Sequence, residues 1–337
     1  MQNKSIVFTA PYVAELLDEE ITSPNAGWVQ VKLCYSTISS GTERANLLGD
    51  PNVATVGAPQ VVFPRRCGYS SAGIVTAVGE GVQDLQPGDR VAMTGSLHSR
   101  YINLRRSNVY KLPDGVSFQD AALMYIGSFS LAAIRKCHLE MGESAIVMGL
   151  GILGLAAVQL LKNAGAVPVI AVDPIPEKRE KALRCGADIA LDPTDAAFAS
   201  TVKSLTGGGA NVGIEVTGIG AGLDGILDCM AKFGRIALLG CTRNKDFTID
   251  YYRKVHGPGI TLIGAHNNAR PAADSGNGWW TQKDDIETLI KQHAFGRICL
   301  GDMVDEVFSP EEAPWVYERL AREKAFPVVQ FDWERLE

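Results

Sequence analysis

No run of apolar residues in this chain approaches the length of a membrane span. The stretch Met1-Gln2-Asn3-Lys4 leads straight into a strand-like Ser5–Thr9 without the apolar core of a secretion signal. The expectation is a soluble protein with cytoplasmic localisation and no membrane partner. Positive charge is also short: 32 Lys and Arg against 38 Asp and Glu leave a formal net charge of −6. With no basic stripe interleaved with aromatics, that balance argues against a nucleic-acid partner. No Cys-x-x-Cys pair occurs among Cys34, Cys67, Cys137, Cys185, Cys229, Cys241 and Cys299. Such scattered cysteines suit reduced thiols, most of them packed as small apolar side chains. Internal repeats and low-complexity segments are absent, and helical periodicity is nearly absent from the first 110 residues.

What is present suits two domains. At 337 residues the chain is long enough for each to bury its own core. Short strands separated by turns fill the first part: Ser5–Thr9, Trp28–Tyr35, Gly73–Val78, Arg90–Met93, Arg100–Leu104 and Asn108–Leu112. Glycine-rich turns at Gly79-Glu80-Gly81 and Gln86-Pro87-Gly88-Asp89 predict a compact, mostly antiparallel β domain. From Phe118 the pattern changes to helix periodicity over Phe118–Leu131. It then alternates strand with helix, the strands falling at Ser144–Met148, Val167–Asp173, Ile189–Leu191, Val212–Val216, Arg235–Gly240 and Thr261–Gly264. That alternation predicts an α/β fold with a doubly wound parallel sheet. Pro168 sits at the first position of its strand, where a missing N–H is tolerated. An irregular polar stretch, His266–Gly278, precedes helices near Asp284–His293 and Pro310–Glu323. A last strand, Val328–Phe331, most simply rejoins the β domain.

The sharpest local signal is Met148-Gly149-Leu150-Gly151-Ile152-Leu153-Gly154, where an apolar strand turns into an amphipathic helix. In that context Gly149 allows a tight turn and Gly151 lets backbone approach a pyrophosphate. Gly154 allows close helix–strand packing, and the helix start, with Ile152 and Leu153, offers free N–H groups to an anion. The next strand ends on Asp173, placed to accept hydrogen bonds from an adenosine ribose. An acid there repels a 2′-phosphate, so the expected cofactor is NAD rather than NADP, with Lys178 and Arg179 near enough to blunt the preference. Thr217-Gly218 and Gly240-Cys241 end parallel strands on the ligand-binding face of such a sheet and are expected at the nicotinamide end. A tight turn with a chance Asp is the alternative. Thiolate catalysis by Cys241 lacks an identified activating base.

Four segments together resemble the medium-chain dehydrogenase/reductase superfamily: Gly73-Ile74-Val75-Thr76-Ala77-Val78-Gly79, Pro87-Gly88-Asp89-Arg90-Val91, the glycine turn, and Gly234-Arg235-Ile236-Ala237-Leu238-Leu239-Gly240. The resemblance runs end to end. It implies a GroES-like catalytic domain at 1–125, a Rossmann NAD-binding domain at 126–266 and a return segment at 267–337 completing the first. In zinc alcohol dehydrogenases of this superfamily a catalytic zinc is held at positions that here carry Ser39, Tyr69 and, by spacing, Met124. None is a good zinc ligand. The four-cysteine lobe of the structural zinc is also missing, since Gly88-Asp89-Arg90-Val91 runs on almost directly to Tyr101. No metal is expected, although ligation by Cys34, Cys67 and His98 stays open. Ser40-Gly41-Thr42-Glu43, Gly68-Tyr69-Ser70-Ser71 and His98 resemble the branch without zinc ligands that includes the bacteriochlorophyllide dehydrogenases. Only the branch carries over, not the pigment.

Without zinc, a side chain must take the hydroxyl proton as hydride leaves. Tyr69 stands where the zinc-bound His stands in the relatives, and a phenol can hold the reacting oxygen. His98 titrates in the useful range and is expected in a strand beside the same site, as base or relay. Filler for a vacated metal site, and a packed strand residue, are the plain alternatives. Ser39, Glu43 and Ser70 are candidate pocket residues, with Glu43 equally able to cap a helix at Arg44–Leu48. By the same resemblance, the backbone of Ala265 and Asn267 would meet the nicotinamide carboxamide, and His266 would face substrate. Asn267, Asn268 and Arg270 make that wall polar unless the stretch is simply a solvated loop. Trp279-Trp280 would either cover a sugar face or anchor the loop.

The resulting expectation is a zinc-independent NAD-dependent dehydrogenase of a polar secondary alcohol: a polyol, cyclitol or sugar derivative. A reductase of an activated C=C or C=O bond and a non-catalytic NAD-binding redox sensor are the alternatives. Thr261–Gly264 could extend the sheet across a two-fold axis, so a homodimer is expected, or a tetramer.

Overall fold

The structure is a computed structural model and describes residues 1–50, 53, 61–242 and 246–336. Two compact units emerge, Met1–Ile126 with Ile290–Glu337, and Gly127–Leu289.

In chain order the first unit contains strands β1 (Gln2–Ala10), β2 (Val13–Glu20) and β3 (Trp28–Thr37), helix α1 (Ser40–Leu48), and strands β4 (Arg65–Arg66), β5 (Ser70–Val78), β6 (Arg90–Thr94), β7 (Tyr101–Arg105) and β8 (Val109–Lys111). Helix α2 (Phe118–Ala121) follows, then α3 (Met124–Lys136), which runs across the unit boundary. The single helix expected at Phe118–Leu131 is therefore two.

Strand β2 is missing from the sequence reading. Its residues, Val13-Ala14-Glu15-Leu16-Leu17-Asp18-Glu19-Glu20, look too acidic for a strand, yet it pairs antiparallel with β1 from Gln2↔Glu20 to Ala10↔Val13. Only Ala14 is fully buried, so the outer face tolerates the acids. Three strands pair with β3, antiparallel in each case: β5, β7 and the C-terminal strand. That position accounts for its almost unbroken burial. Helix α1 follows Ser39 and stops at Gly49, whose φ of +71° is a left-handed conformation that glycine adopts without Cβ strain. Phe8, Val31, Leu33, Leu47, Met93, Tyr317, Phe331 and Trp333 belong to this unit's core.

The second unit alternates β9 (Ala145–Met148), α4 (Ile152–Asn163), β10 (Val169–Val172), α5 (Pro176–Arg184), β11 (Ile189–Leu191), α6 (Phe198–Thr206), β12 (Ala210–Glu215), α7 (Gly220–Asp228), β13 (Met230–Leu238) and β14 (Thr261–Gly264). All pair in parallel, in the order β11-β10-β9-β12-β13-β14. The order reverses between β9 and β12, and ligands of such sheets bind outside the carboxyl ends of the strands at that reversal. Helix α4 is buried from Gly154 to Leu161, which explains why its sequence is apolar around most of its circumference.

The return to the first unit comes later than expected. Residues 267–289 stay with the second unit, and only from Ile290 does the chain rejoin the first. The cause is a buried ion cluster: Asp285, at the start of α8 (Gln282–Ala294), meets Arg270 at 2.9 Å and Arg135 at 2.9 Å, and Arg270 also donates to the Ser128 carbonyl at 2.8 Å. Trp280 lies 3.5 Å beneath the Arg135 guanidinium and Trp279 4.6 Å from the Lys136 ammonium. The tryptophans therefore anchor this segment, and Arg270 is turned inward rather than solvated.

The chain ends with β15 (Glu306–Phe308), α9 (Ala313–Arg322) and β16 (Val329–Asp332), the last pairing with β3 in the first unit as the tail was expected to do. Among the described residues no helix is long and apolar enough to cross a membrane.

Candidate functional site

In the second unit the three glycines have different surroundings. Gly149 sits at φ +100°, and a Cβ there would lie 2.9 Å from the Thr217 methyl. A Cβ on Gly154 would fall 1.9 Å from the Gly149 carbonyl oxygen, so no side chain fits. A Cβ on Gly151 would meet nothing within 4 Å: this is open space at the start of α4, beside the uncapped N–H groups of the Ile152–Leu153 end. An apposed pyrophosphate fits such a cradle. Ile152 is buried, and the Leu153 carbonyl accepts from the Ser130 hydroxyl at 2.7 Å.

Asp173 follows β10 and is itself tied to the turn. One carboxylate oxygen accepts the Leu150 N–H at 2.9 Å and the other the Ile175 N–H at 3.0 Å. Lys178 stands 3.9 Å away, while Arg179 donates to the Asp173 carbonyl at 2.7 Å and to Asp192 at 3.1 Å. Arg179 is thus committed to the protein.

Across the sheet reversal, the turn after β12 carries Thr217, and Gly240 follows β13. A Cβ on Gly240 would lie 2.4 Å from the Gly218 amide nitrogen. Cys241 is exposed. Ala265 is buried with its N–H donated to Leu238, which commits that donor to the sheet. His266 is exposed, its Nδ1 accepting the Asn268 N–H at 3.1 Å, and Asn267 beside it is partly buried.

The first unit holds the other group of candidates. The Tyr69 hydroxyl donates to Ser39 Oγ and also bonds to the Thr42 hydroxyl, so its oxygen sits on the first turn of α1. Tyr125 stands edge-on to the Tyr69 ring at 5.6 Å. Burial raises the Tyr69 phenol above its ordinary value, against the opposing pull of the Ser39 and Thr42 bonds. At neutral pH the Tyr69 phenol is therefore protonated.

His98 requires a correction. It lies in the loop between β6 and β7 rather than in a strand, fully buried. Its Nε2–H donates to Glu43 Oε2 at 3.1 Å, and its Nδ1 accepts from the Ser36 hydroxyl at 2.7 Å, whose oxygen in turn takes the Trp333 indole N–H at 2.8 Å. With both ring nitrogens engaged and no exposed surface, His98 is not placed to take a proton from substrate. Glu43 is the centre of this cluster: it also accepts the Tyr317 hydroxyl at 2.5 Å and the Ser39 N–H at 2.9 Å. Glu43 lies inside α1 rather than capping a helix at Arg44–Leu48, and acts as a buried brace that fixes Ser39. Ser70 is likewise no pocket residue, because its buried hydroxyl donates to the Ala122 carbonyl at 2.7 Å.

The donors do not fit a catalytic zinc. Ser39 and Tyr69 hydrogen-bond each other, and Met124 is buried. Burial pushes the Cys34 thiol up to about 12 and raises Cys67 as well, and both are shut in the core. Among the described residues no three His, Cys, Asp or Glu side chains are grouped to hold a metal ion.

Sequence reasoning missed Glu215. It ends β12, is buried, and its side chain accepts the Thr217 N–H at 2.8 Å and the Gly218 N–H at 3.2 Å. An acid closing an apolar strand just before Thr-Gly was the available signal.

Comparison with known proteins agrees with this architecture. The alcohol dehydrogenase GroES-like domain family matches residues 25–134, and the zinc-binding dehydrogenase family matches residues 153–273. D-guloside 3-dehydrogenase of Escherichia coli (strain K12) is 28% identical over 334 residues, covering 93% of this chain and 95% of that protein. (R,R)-butanediol dehydrogenase of Bacillus subtilis (strain 168) is 32% identical over 237 residues, covering 61% of this chain and 67% of that protein. The crystal structure of a 2R,3R-butanediol dehydrogenase from Bacillus subtilis superposes with a TM-score of 0.82 at 24% identity, over 98% of this chain and 99% of that one. With a GroES-like domain, a parallel sheet in dinucleotide-binding order and relatives that span nearly its whole length, the chain belongs to the medium-chain dehydrogenase/reductase superfamily.

Proposed function

We propose that the protein is a zinc-independent, NAD-dependent dehydrogenase that oxidises a secondary hydroxyl of a polyol, cyclitol or sugar derivative. The observation that carries this reading is the hydroxyl cluster of Tyr69, Ser39 and Thr42, in which Ser39 and Tyr69 are the residues that the family resemblance sets at zinc-ligand positions. Ser39 and Tyr69 supply hydrogen bonds to an alcohol oxygen, and the phenolate form of Tyr69 takes the hydroxyl proton. A nicotinamide held by the glycine turn would supply the hydride acceptor for the carbinol carbon. In reverse, the protonated phenol returns its proton to the alkoxide formed by hydride addition to a carbonyl.

Gly149, Gly151 and Gly154 would seat the pyrophosphate, and Asp173, with lone pairs beyond its two backbone bonds, the adenosine ribose. A carboxylate there and an Arg179 already engaged both favour NAD over NADP. Thr217, Gly240, Cys241 and Ala265 belong to the nicotinamide end, and His266 and Asn267 to the substrate side, in the same reading. The relatives named for a guloside and a butanediol support a polyhydroxy or vicinal alcohol as substrate. A cytoplasmic setting and a homodimer joined along β14 complete the proposal.

The test is absorbance at 340 nm with NAD, and separately NADP, across glycosides, inositols, alditols and simple diols. NADH formation with NAD on a polyhydroxy compound is the expected result. Silence across the panel while NAD still binds would transfer the case to a reductase or a redox sensor.

A further inference from the structure

Glu215 is the buried acid at the sheet reversal that neither the glycine motif nor the proton chemistry uses. It pairs in register with Met148 on one side and Leu238 on the other, the residues just before the two glycine-bearing turns. Its backbone carbonyl accepts both the Leu239 and Gly240 N–H groups at 2.9 Å. Its side-chain carboxylate accepts the Thr217 hydroxyl, the Thr217 N–H at 2.8 Å and the Gly218 N–H at 3.2 Å. Burial raises its carboxyl above the ordinary range, opposed by the Thr217 and Gly218 hydrogen bonds and by no cationic side chain.

The turn it holds has no room to move. Thr217 lies against Gly149, and a Cβ on Gly222 would meet the Thr217 hydroxyl oxygen at 2.1 Å. A Cβ on Gly218 would meet the Cys241 carbonyl oxygen at 2.6 Å. An acid without a cation is a costly way to close a turn, since a Ser or Asn can bond two backbone N–H groups at much lower desolvation cost. From these placements we infer that Glu215 is a positioning residue for the dinucleotide: it locks Thr217-Gly218 against Gly149 and Gly240 and so sets the shape of the cofactor seat. The inference rests on the proposed NAD site.

The test is NADH binding to the full-length protein, followed by fluorescence, with steady-state kinetics and thermal melts alongside. Glu215→Gln keeps the size but turns one acceptor into a donor facing amides. It is expected to raise Kd for NADH and KM for NAD about tenfold or more. The KM for the alcohol should stay close to that of the parent, a split that a purely structural role would not give. Should Glu215→Gln fail to fold, Thr217→Val decides instead: it removes one donor, keeps the methyl against Gly149, and is expected to weaken NADH about three- to tenfold. A folded variant whose NADH affinity stays within about twofold of the parent would overturn the inference. Failure of the parent itself to bind NADH would instead overturn the cofactor reading.

Discussion

Tyr69→Phe is expected to lower kcat for alcohol oxidation by about 10²- to 10⁴-fold, the range for loss of a positioned acid–base group. The variant should keep the parent's NADH affinity, because the lost hydroxyl bonds Ser39 and Thr42 within the first unit while the glycine turn lies in the second. The parent's pH profile provides a second readout. Burial raises the Tyr69 phenol above its free value of about 10, and only the deprotonated phenol accepts a proton. Oxidation should therefore rise with pH through the neutral range with no plateau below about pH 10, whereas carbonyl reduction, served by the protonated form, should stay nearly flat there. Tyr69→Phe removes the rise. A Phe variant with parental kcat would return Tyr69 to the role of filler.

Glu43→Leu is expected to be strongly destabilising to the first unit. It strips the acceptor from the Tyr317 hydroxyl, His98 Nε2 and the Ser39 N–H, all buried. Buried donors left unpaired cost about 1–3 kcal/mol each, so a total loss of about 3 kcal/mol or more follows. In a unit of this size that corresponds to a fall of roughly 6–12 °C in the calorimetric melting temperature. Glu43→Gln, which keeps an acceptor for Ser39, should recover part of the loss. Equal melting temperatures for Glu43→Leu and the parent would contradict the brace.

The contrast between Tyr69 and His98 shows what the sequence could carry. The glycine turn was readable because strand, turn, helix and acid all fall within one short stretch, and each glycine's role follows from local geometry. His98 was misassigned because its environment is assembled from distant chain: Glu43 lies 55 residues before it, and Tyr317 reaches that same carboxylate from 274 residues further along than Glu43. No spacing rule exposes such a brace. The extent of the second unit was hidden for the same reason, since the Arg135–Asp285–Arg270 cluster draws together residues far apart in sequence. Strand β2 was missed for the opposite cause: its acids face outward on a hairpin, where the pattern of burial is too sparse to register as alternation.

The central claim is that hydroxyls, rather than a metal, handle the proton. The measurement that tests it most directly is NAD reduction with the best polyhydroxy substrate, before and after exhaustive chelation, with the metal content of both samples determined. An unchanged rate in metal-free protein is the expected result. A rate that vanishes on chelation and returns with one equivalent of zinc would contradict it.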